Sequence, residues 1–185
     1  DIEHPSVRAT LNFLKLQRGV EIHHDGDLPA RSGMGSSSSF TVGLLNALHA
    51  LKGHMATKEQ LANESITIEQ DILKENVGSQ DQVNAAYGGF NHITFHASGE
   101  ISVRPVIIPP DRQDELTSHL MLFYTGIKRT ADKVAGTYVN SLEAKRRELR
   151  ILRDMVEEAL SILCGHGPIK EFGELLHEGW LAKQA

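Results

Sequence analysis

The chain has 185 residues, 40% hydrophobic and 23% charged, enough to bury the core of one domain or two small ones and too apolar for disorder as its main state. Nineteen Lys and Arg against 24 Asp and Glu leave a formal net charge of -5, without the basic excess of a nucleic-acid-binding surface, so a phosphate ligand needs local help. The single cysteine, Cys164, excludes an internal disulfide and any multi-cysteine metal centre, and no apolar run approaches the roughly 20 residues of a membrane span; the reading is cytoplasmic, with no membrane and no nucleic-acid partner.

Val7 to Gln17 places Val7, Leu11 and Leu14 on one helical face. The chain opens without methionine directly before this pattern and stops directly after another, Ile169 to Leu181, so both ends are expected to be cuts in a longer protein. Val20-Glu21-Ile22-His23 alternates with period two and predicts a short strand, followed by turn residues from Asp25 to Pro29. A Gly/Ser loop then runs into a helix whose predicted stripe is Phe40, Leu44, Ala47 and Leu51, stopped by Gly53. Thr57 and Gln60 form a capping-box pattern opening a helix from about Lys58 to Lys74, and Asn76 to Gly89 reads as loop.

Asn91 to Phe95, Ser98 to Glu100 and Ile101 to Val103 read as strand, turn and strand, with Val106 to Ile108 extended into Pro109-Pro110. Past that step, His119 to Tyr124 predicts an apolar strand. Ser141 to Cys164 predicts a long helix with Leu142, Leu149, Leu152, Val156, Leu160 and Leu163 buried, stopped by Gly165 to Pro168, and Trp180 reads as a core or interface residue. The organisation is mixed α and β in two parts, 1–115 and 116–185.

The richest stretch is Pro29-Ala30-Arg31-Ser32-Gly33-Met34-Gly35-Ser36-Ser37-Ser38-Ser39-Phe40. Its glycines allow positive φ and close approach of a ligand, its serines offer hydroxyls, and the helix that follows points unpaired N–H groups and the positive end of its dipole back at the loop. The natural ligand is a nucleotide phosphate. No Gly-Lys-Ser/Thr is present for a Walker A loop, and the dinucleotide spacing fails at Ser38. A flexible serine linker is the alternative, but it has no need to run into a helical stripe at Phe40.

Pro-x-x-x-Gly-Met-Gly-Ser-Ser-Ser-Ser before a helix resembles the central phosphate-binding motif of the GHMP kinases, the superfamily of galactokinase, homoserine kinase and mevalonate kinase. The family usually has Leu at Met34 and Ala at Ser38 and Ser39. The run from His23 to Ser39 is most similar to the branch acting on sugars, including a heptose 7-phosphate. The resemblance implies an α+β GHMP kinase fold: an N-terminal α/β domain with the phosphate loop and the start of a ferredoxin-like C-terminal domain, both incomplete. ATP and its acceptor would lie in the cleft between them. It further implies transfer of the γ-phosphoryl of MgATP to a sugar hydroxyl, with the anomeric hydroxyl of a heptose 7-phosphate as first choice. Galactose, fucose or mevalonate as acceptor, a non-catalytic nucleotide and sugar sensor, and a homodimer stay open. Pro29, Arg31, Gly33, Met34, Gly35, Ser36, Ser37 and Ser38 would hold the nucleotide.

On the helix from Lys58, Glu69 shares a face with Ala62, Ile66 and Leu73, so this carboxylate sits among apolar neighbours and needs a partner. A boundary glutamate paired with a lysine or backbone donor would satisfy that pattern, and so would a Mg²⁺ ligand. Twelve residues on, Gly78-Ser79-Gln80-Asp81-Gln82 puts Asp81 in a glycine-containing segment, where a turn or helix-cap aspartate is the ordinary reading. The resemblance implies more specific roles. Glu69 and Ser37, with Ser36 as its neighbour, would bind Mg²⁺, and Asp81 would be the base or orienting group for the acceptor hydroxyl.

Thr125-Gly126-Ile127-Lys128-Arg129-Thr130 sets two cations beside a glycine turn. It reads either as an ordinary basic turn or as a source of phosphate-neutralising charge, from Lys128 in the catalytic centre, from Arg129, or alternatively from Arg31 in the loop. The ten histidines form no chelating set, since His23 and His24 are adjacent on a predicted strand and face opposite ways.

Overall fold

The computed structural model describes residues 2–27, 33–126 and 145–184. Pro29, Arg31, Lys128, Arg129 and Leu142, all singled out above, lie outside the described residues. In chain order the elements are helices α1 (Pro5–Phe13), α2 (Ser36–Leu51) and α3 (Lys58–Ile66), a π-helical turn (Thr67–Ile72), α4 (Gln80–Tyr87), strands β1 (Asn91–Phe95) and β2 (Ile101–Pro105), α5 (Pro110–Ser118), α6 (Arg146–Cys164) and α7 (Lys170–Gln184). They fall into two compact units. One is built on the chain up to Ile93 with Tyr124–Gly126, the other on Thr94–Phe123 with the described chain from Lys145.

The first unit packs α1, α2, α3 and α4 against one another. Its core joins Ala9 and Leu14 of the α1 segment, Val42, Leu44, Leu45 and Leu48 of α2, and Leu61 and Ile68 from the α3 segment; Leu45 and Ile68 are completely buried. Each such aliphatic side chain contributes about 1.5–3 kcal/mol of burial. The α2 stripe is rotated from the predicted one. Ala47 and Leu51 are exposed, while Thr41, Val42, Leu45, Leu48 and His49 face inward, because α1, α3 and α4 surround more of α2 than a single stripe covers. Two cations bind the ends of neighbouring helices: Lys52 Nζ donates to the carbonyl of Leu14 at 2.9 Å, and Arg18 Nη2 to that of Leu51 at 3.0 Å.

The cap at Thr57 forms, its hydroxyl accepting from the Gln60 N–H at 3.1 Å. The helix it opens changes character at Thr67, where a π turn replaces the predicted regular helix to Lys74. The Leu73 N–H reaches back five residues to the Ile68 carbonyl at 2.9 Å, and Lys74 takes a left-handed φ of 58° that ends the element. The segment read as loop from Asn76 contains α4. Its two short turns, with Gln82 and Val83 inward, are too brief for a periodic signal.

The predicted hairpin forms between β1 and β2 around Gly99, whose φ is 90°. Two other predicted strands do not: Val20–His23 and the run from Leu120 to Tyr124 are irregular. A strand is held by its ladder partner, and among the described residues neither segment has one. The second run is correspondingly exposed, Met121, Leu122 and Phe123 by 75% or more.

In the second unit α6 packs on α7 after the break at Gly165–Pro168. Leu152 and Leu160 are half-buried and Leu163 is buried, but Leu149 and Val156 are exposed. Trp180 is also exposed rather than in the core, its ring stacked on His177 at 6.0 Å. Arg112 is buried and ties α5 to α6, donating to the Ile162 carbonyl at 2.8 Å and pairing with Glu115 at 2.6 Å. Among the described residues no helix is long and apolar enough to cross a membrane.

Candidate active site

The start of α2 is the geometric origin of the site. Gly33 and Gly35 have φ of 80° and 67°, a backbone shape that side-chain-bearing residues resist. Gly35 is the N-cap residue and so supplies no side-chain cap; the first N–H groups of α2 are left to whatever the loop binds. Met34 and Ser37 are exposed and Ser36 half-buried, while Ser38 turns into the protein.

Ser38 meets Glu69. Its hydroxyl donates to Glu69 Oε2 at 2.9 Å, and the amide of Gln82 donates to the same oxygen at 2.5 Å. Glu69 is 1% exposed, Gln82 and Ser65 not at all. The second carboxylate oxygen, Glu69 Oε1, is buried and has no hydrogen-bond partner among the described residues, and the same holds for Gln82 Oε1 and Ser65 Oγ. Oxygens of this kind normally find a partner, so this orphaned carboxylate oxygen near the glycine loop is one that could hold a cation.

The π turn that carries Glu69 also fixes the route to α4. Gln70 donates its side-chain amide to the Val77 carbonyl at 3.0 Å and to Ser79 Oγ at 3.1 Å. Asp81 follows in the first turn of α4, exposed, with its carboxyl group against Gly35; a Cβ on Gly35 would lie 3.4 Å from Asp81 Cγ and Oδ2. Of the residues expected to act together, Gly35, Ser38, Glu69 and Asp81 are therefore gathered around the start of α2. Ser37, expected beside Glu69, is one residue from the serine that touches it, and its carbonyl accepts from Thr41 Oγ1 at 3.1 Å. Gln82 was not singled out by the sequence. It is a polar residue on a helix too short to betray an inward face, and only its place next to Asp81 pointed to it.

A family model for the GHMP kinases N terminal domain matches residues 6–89, the stretch that carries all of these groups. Residues 6–89 are a GHMP kinase N-terminal domain. The match runs from α1 through α4, so the Glu69 to Ser38 contact and the Asp81 to Gly35 contact are internal to the GHMP domain. The chain is 30% identical over 127 residues to D-glycero-alpha-D-manno-heptose 7-phosphate kinase of Campylobacter jejuni, covering 69% of this chain and 38% of that protein. It is 28% identical over 176 residues to L-fucokinase/L-fucose-1-P guanylyltransferase of Bacteroides fragilis, covering 90% of this chain and 18% of that one. The chain thus spans well under half the length of these relatives. The crystal structure of a D-glycero-D-manno-heptose 1-phosphate kinase from Bacteroides thetaiotaomicron superposes with a TM-score of 0.75 at 24% identity, along all of this chain (100%) and 56% of that one. The fold is the α+β GHMP kinase fold.

Among the described residues no group of three or more His, Cys, Asp and Glu is arranged around a metal position. Mg²⁺ held jointly with nucleotide phosphates takes only one or two protein oxygens, so such a cluster is not required of it. Glu69 Oε1 offers one such oxygen, hard, anionic and unbonded.

Proposed function

We propose that the protein is an ATP-dependent small-molecule kinase that transfers the γ-phosphoryl group of MgATP to a sugar hydroxyl, with the anomeric hydroxyl of a heptose 7-phosphate as acceptor. The observation that carries this reading is the convergence at the start of α2 of a glycine loop with open N–H groups, a buried carboxylate with one free oxygen, and an exposed aspartate against Gly35. Those are the three things phosphoryl transfer asks of a protein: an anion cradle, a charge-neutralising metal and a group that orients the nucleophile. The heptose acceptor is supported by the name of the Campylobacter relative, a heptose 7-phosphate kinase.

On this reading Gly33 to Ser38 hold the β- and γ-phosphates with backbone N–H groups, and Lys128, Arg129 or Arg31 adds positive charge. Glu69 would hold Mg²⁺ through Oε1, together with Ser37 or its neighbour Ser36, while Ser38 is engaged with Oε2. The chemistry such an ion would supply is neutralisation of charge on the nucleotide phosphates. Asp81 accepts a hydrogen bond from the acceptor hydroxyl, aims its oxygen at the γ-phosphorus and takes its proton as the new P–O bond forms and ADP leaves.

The test is sugar-dependent ADP release by the full-length protein with Mg²⁺ and ATP, run against heptose 7-phosphate, galactose, fucose, mannose and mevalonate. Turnover with heptose 7-phosphate alone is the expected result. Turnover with another member of the panel replaces the acceptor and keeps the reaction; binding of ATP and sugar with no ADP formed overturns the kinase reading in favour of a sensor.

A further inference from the structure

Two donors from different elements converge on one oxygen of Glu69. Ser38 comes from the first turn of α2, Gln82 from α4, and both bond Oε2, leaving Oε1 as the oxygen without a partner. A carboxylate with one donor could still rotate about its last torsion and present either oxygen; with two donors from separate helices on Oε2 it is held. Gln82 is the shorter of the two contacts and is itself fully buried. Its own carbonyl oxygen has no partner, so the side chain is not there to satisfy a local backbone group. A glutamine buried at 0% exposure with half of its amide unbonded is poor for stability alone, where an aliphatic side chain would serve better.

Resting on the kinase reading above, we infer that Gln82 is a positioning residue. It locks the Glu69 carboxylate so that Oε1 faces the metal, and it couples that orientation to the residue beside it on α4, Asp81. One short helix thereby sets both the metal ligand, through Gln82, and the acceptor-facing group, through Asp81. Partners that orient a metal-binding carboxylate typically contribute roughly 10–100-fold to metal affinity.

The experiment is Mn²⁺ binding to the full-length protein in its ADP complex, followed by electron paramagnetic resonance and by calorimetry, for the native protein and Gln82→Met. Methionine keeps the volume and removes the donor. The expected result is Mn²⁺ affinity lowered by roughly 10–100-fold with metal-free ADP affinity unchanged. The Mg²⁺ concentration for half-maximal turnover should rise in step, with turnover recovering at high Mg²⁺. Native Mn²⁺ affinity in a folded Gln82→Met protein overturns the inference and leaves the kinase reading standing. Failure of the native ADP complex to bind Mn²⁺ overturns that reading and the inference with it. Gln82→Asn, which keeps the amide but withdraws it by one methylene, is predicted to show the same loss and serves where the methionine variant does not fold.

Discussion

The carboxyl group of Asp81 packs on Gly35, its Cγ and Oδ2 each 3.4 Å from where a Cβ on residue 35 would stand. The contact joins the start of α4 to the phosphate loop at the one residue whose left-handed φ of 67° sets the direction of α2. Gly35→Ala therefore strains the backbone and puts a methyl group against the Asp81 carboxylate. The expected loss is about 1–2 kcal/mol of stability, read from the urea midpoint, with ATP affinity falling as well. Ala at the open position Gly43, inside α2, is predicted to do neither.

Glu69 is a buried carboxylate held by two neutral donors, with one oxygen unbonded. Burying a charge this way opposes folding, and an amide of the same shape relieves the penalty. Glu69→Gln is predicted to melt at the native temperature or above it in the absence of metal, while the Mg²⁺ dependence of nucleotide binding is lost. Differential scanning calorimetry with and without MgADP checks both halves. A lower melting temperature together with intact Mg²⁺ dependence contradicts the assignment of Glu69 as the metal ligand.

How much of this was legible beforehand depended on the range of the interaction. The loop feeding α2, the Thr57 cap, the hairpin around Gly99 and the long helix ending at Cys164 are written in neighbouring residues, and they formed. The burial of Glu69 followed from its stripe with Ala62 and Ile66. The strands expected at Val20–His23 and His119–Tyr124 carry the right residues, but pairing depends on a second segment that the local pattern does not name. The π turn and α4 escaped because a one-residue widening and an eight-residue helix leave almost no periodic trace. The choice of Ser38 over Ser37 as the partner of Glu69 depends on the rotation of α2 about its axis, which the packing of three other helices decides.

His49, in the last turn of α2, bonds Glu64 of α3 through Nε2 at 2.6 Å, with side-chain exposures of 8% and 17%. Gln60 supports the same carboxylate from one turn earlier, at 2.8 Å. The pair lies on the opposite end of α2 from the phosphate loop. His49→Ala is predicted to lower stability by about 2 kcal/mol, and ATP affinity of the folded protein is predicted to stay native. Chemical denaturation and nucleotide titration on the same sample separate the two effects.

Gly179 lies within α7 facing α6, and a Cβ there would stand 3.4 Å from Met155 Cε and 3.8 Å from Leu152 Cδ2, both ordinary contacts. Its backbone is helical, so alanine adds helix propensity without strain. Gly179→Ala is expected to stabilise the α6–α7 pair by about 0.5–1 kcal/mol, seen as slower amide exchange along both helices. The opposite sign at Gly35 comes from its left-handed φ.

On the proposed reading Asp81 acts on the acceptor while the loop and Glu69 hold the nucleotide, and one comparison separates these roles. Full-length native protein and Asp81→Asn are assayed for heptose 7-phosphate-dependent ADP release at saturating MgATP, with ATP affinity measured alongside. Turnover is expected to fall by roughly 10²–10⁴-fold with ATP affinity unchanged. Native turnover in the asparagine variant, or a loss explained entirely by weaker ATP binding, would contradict it.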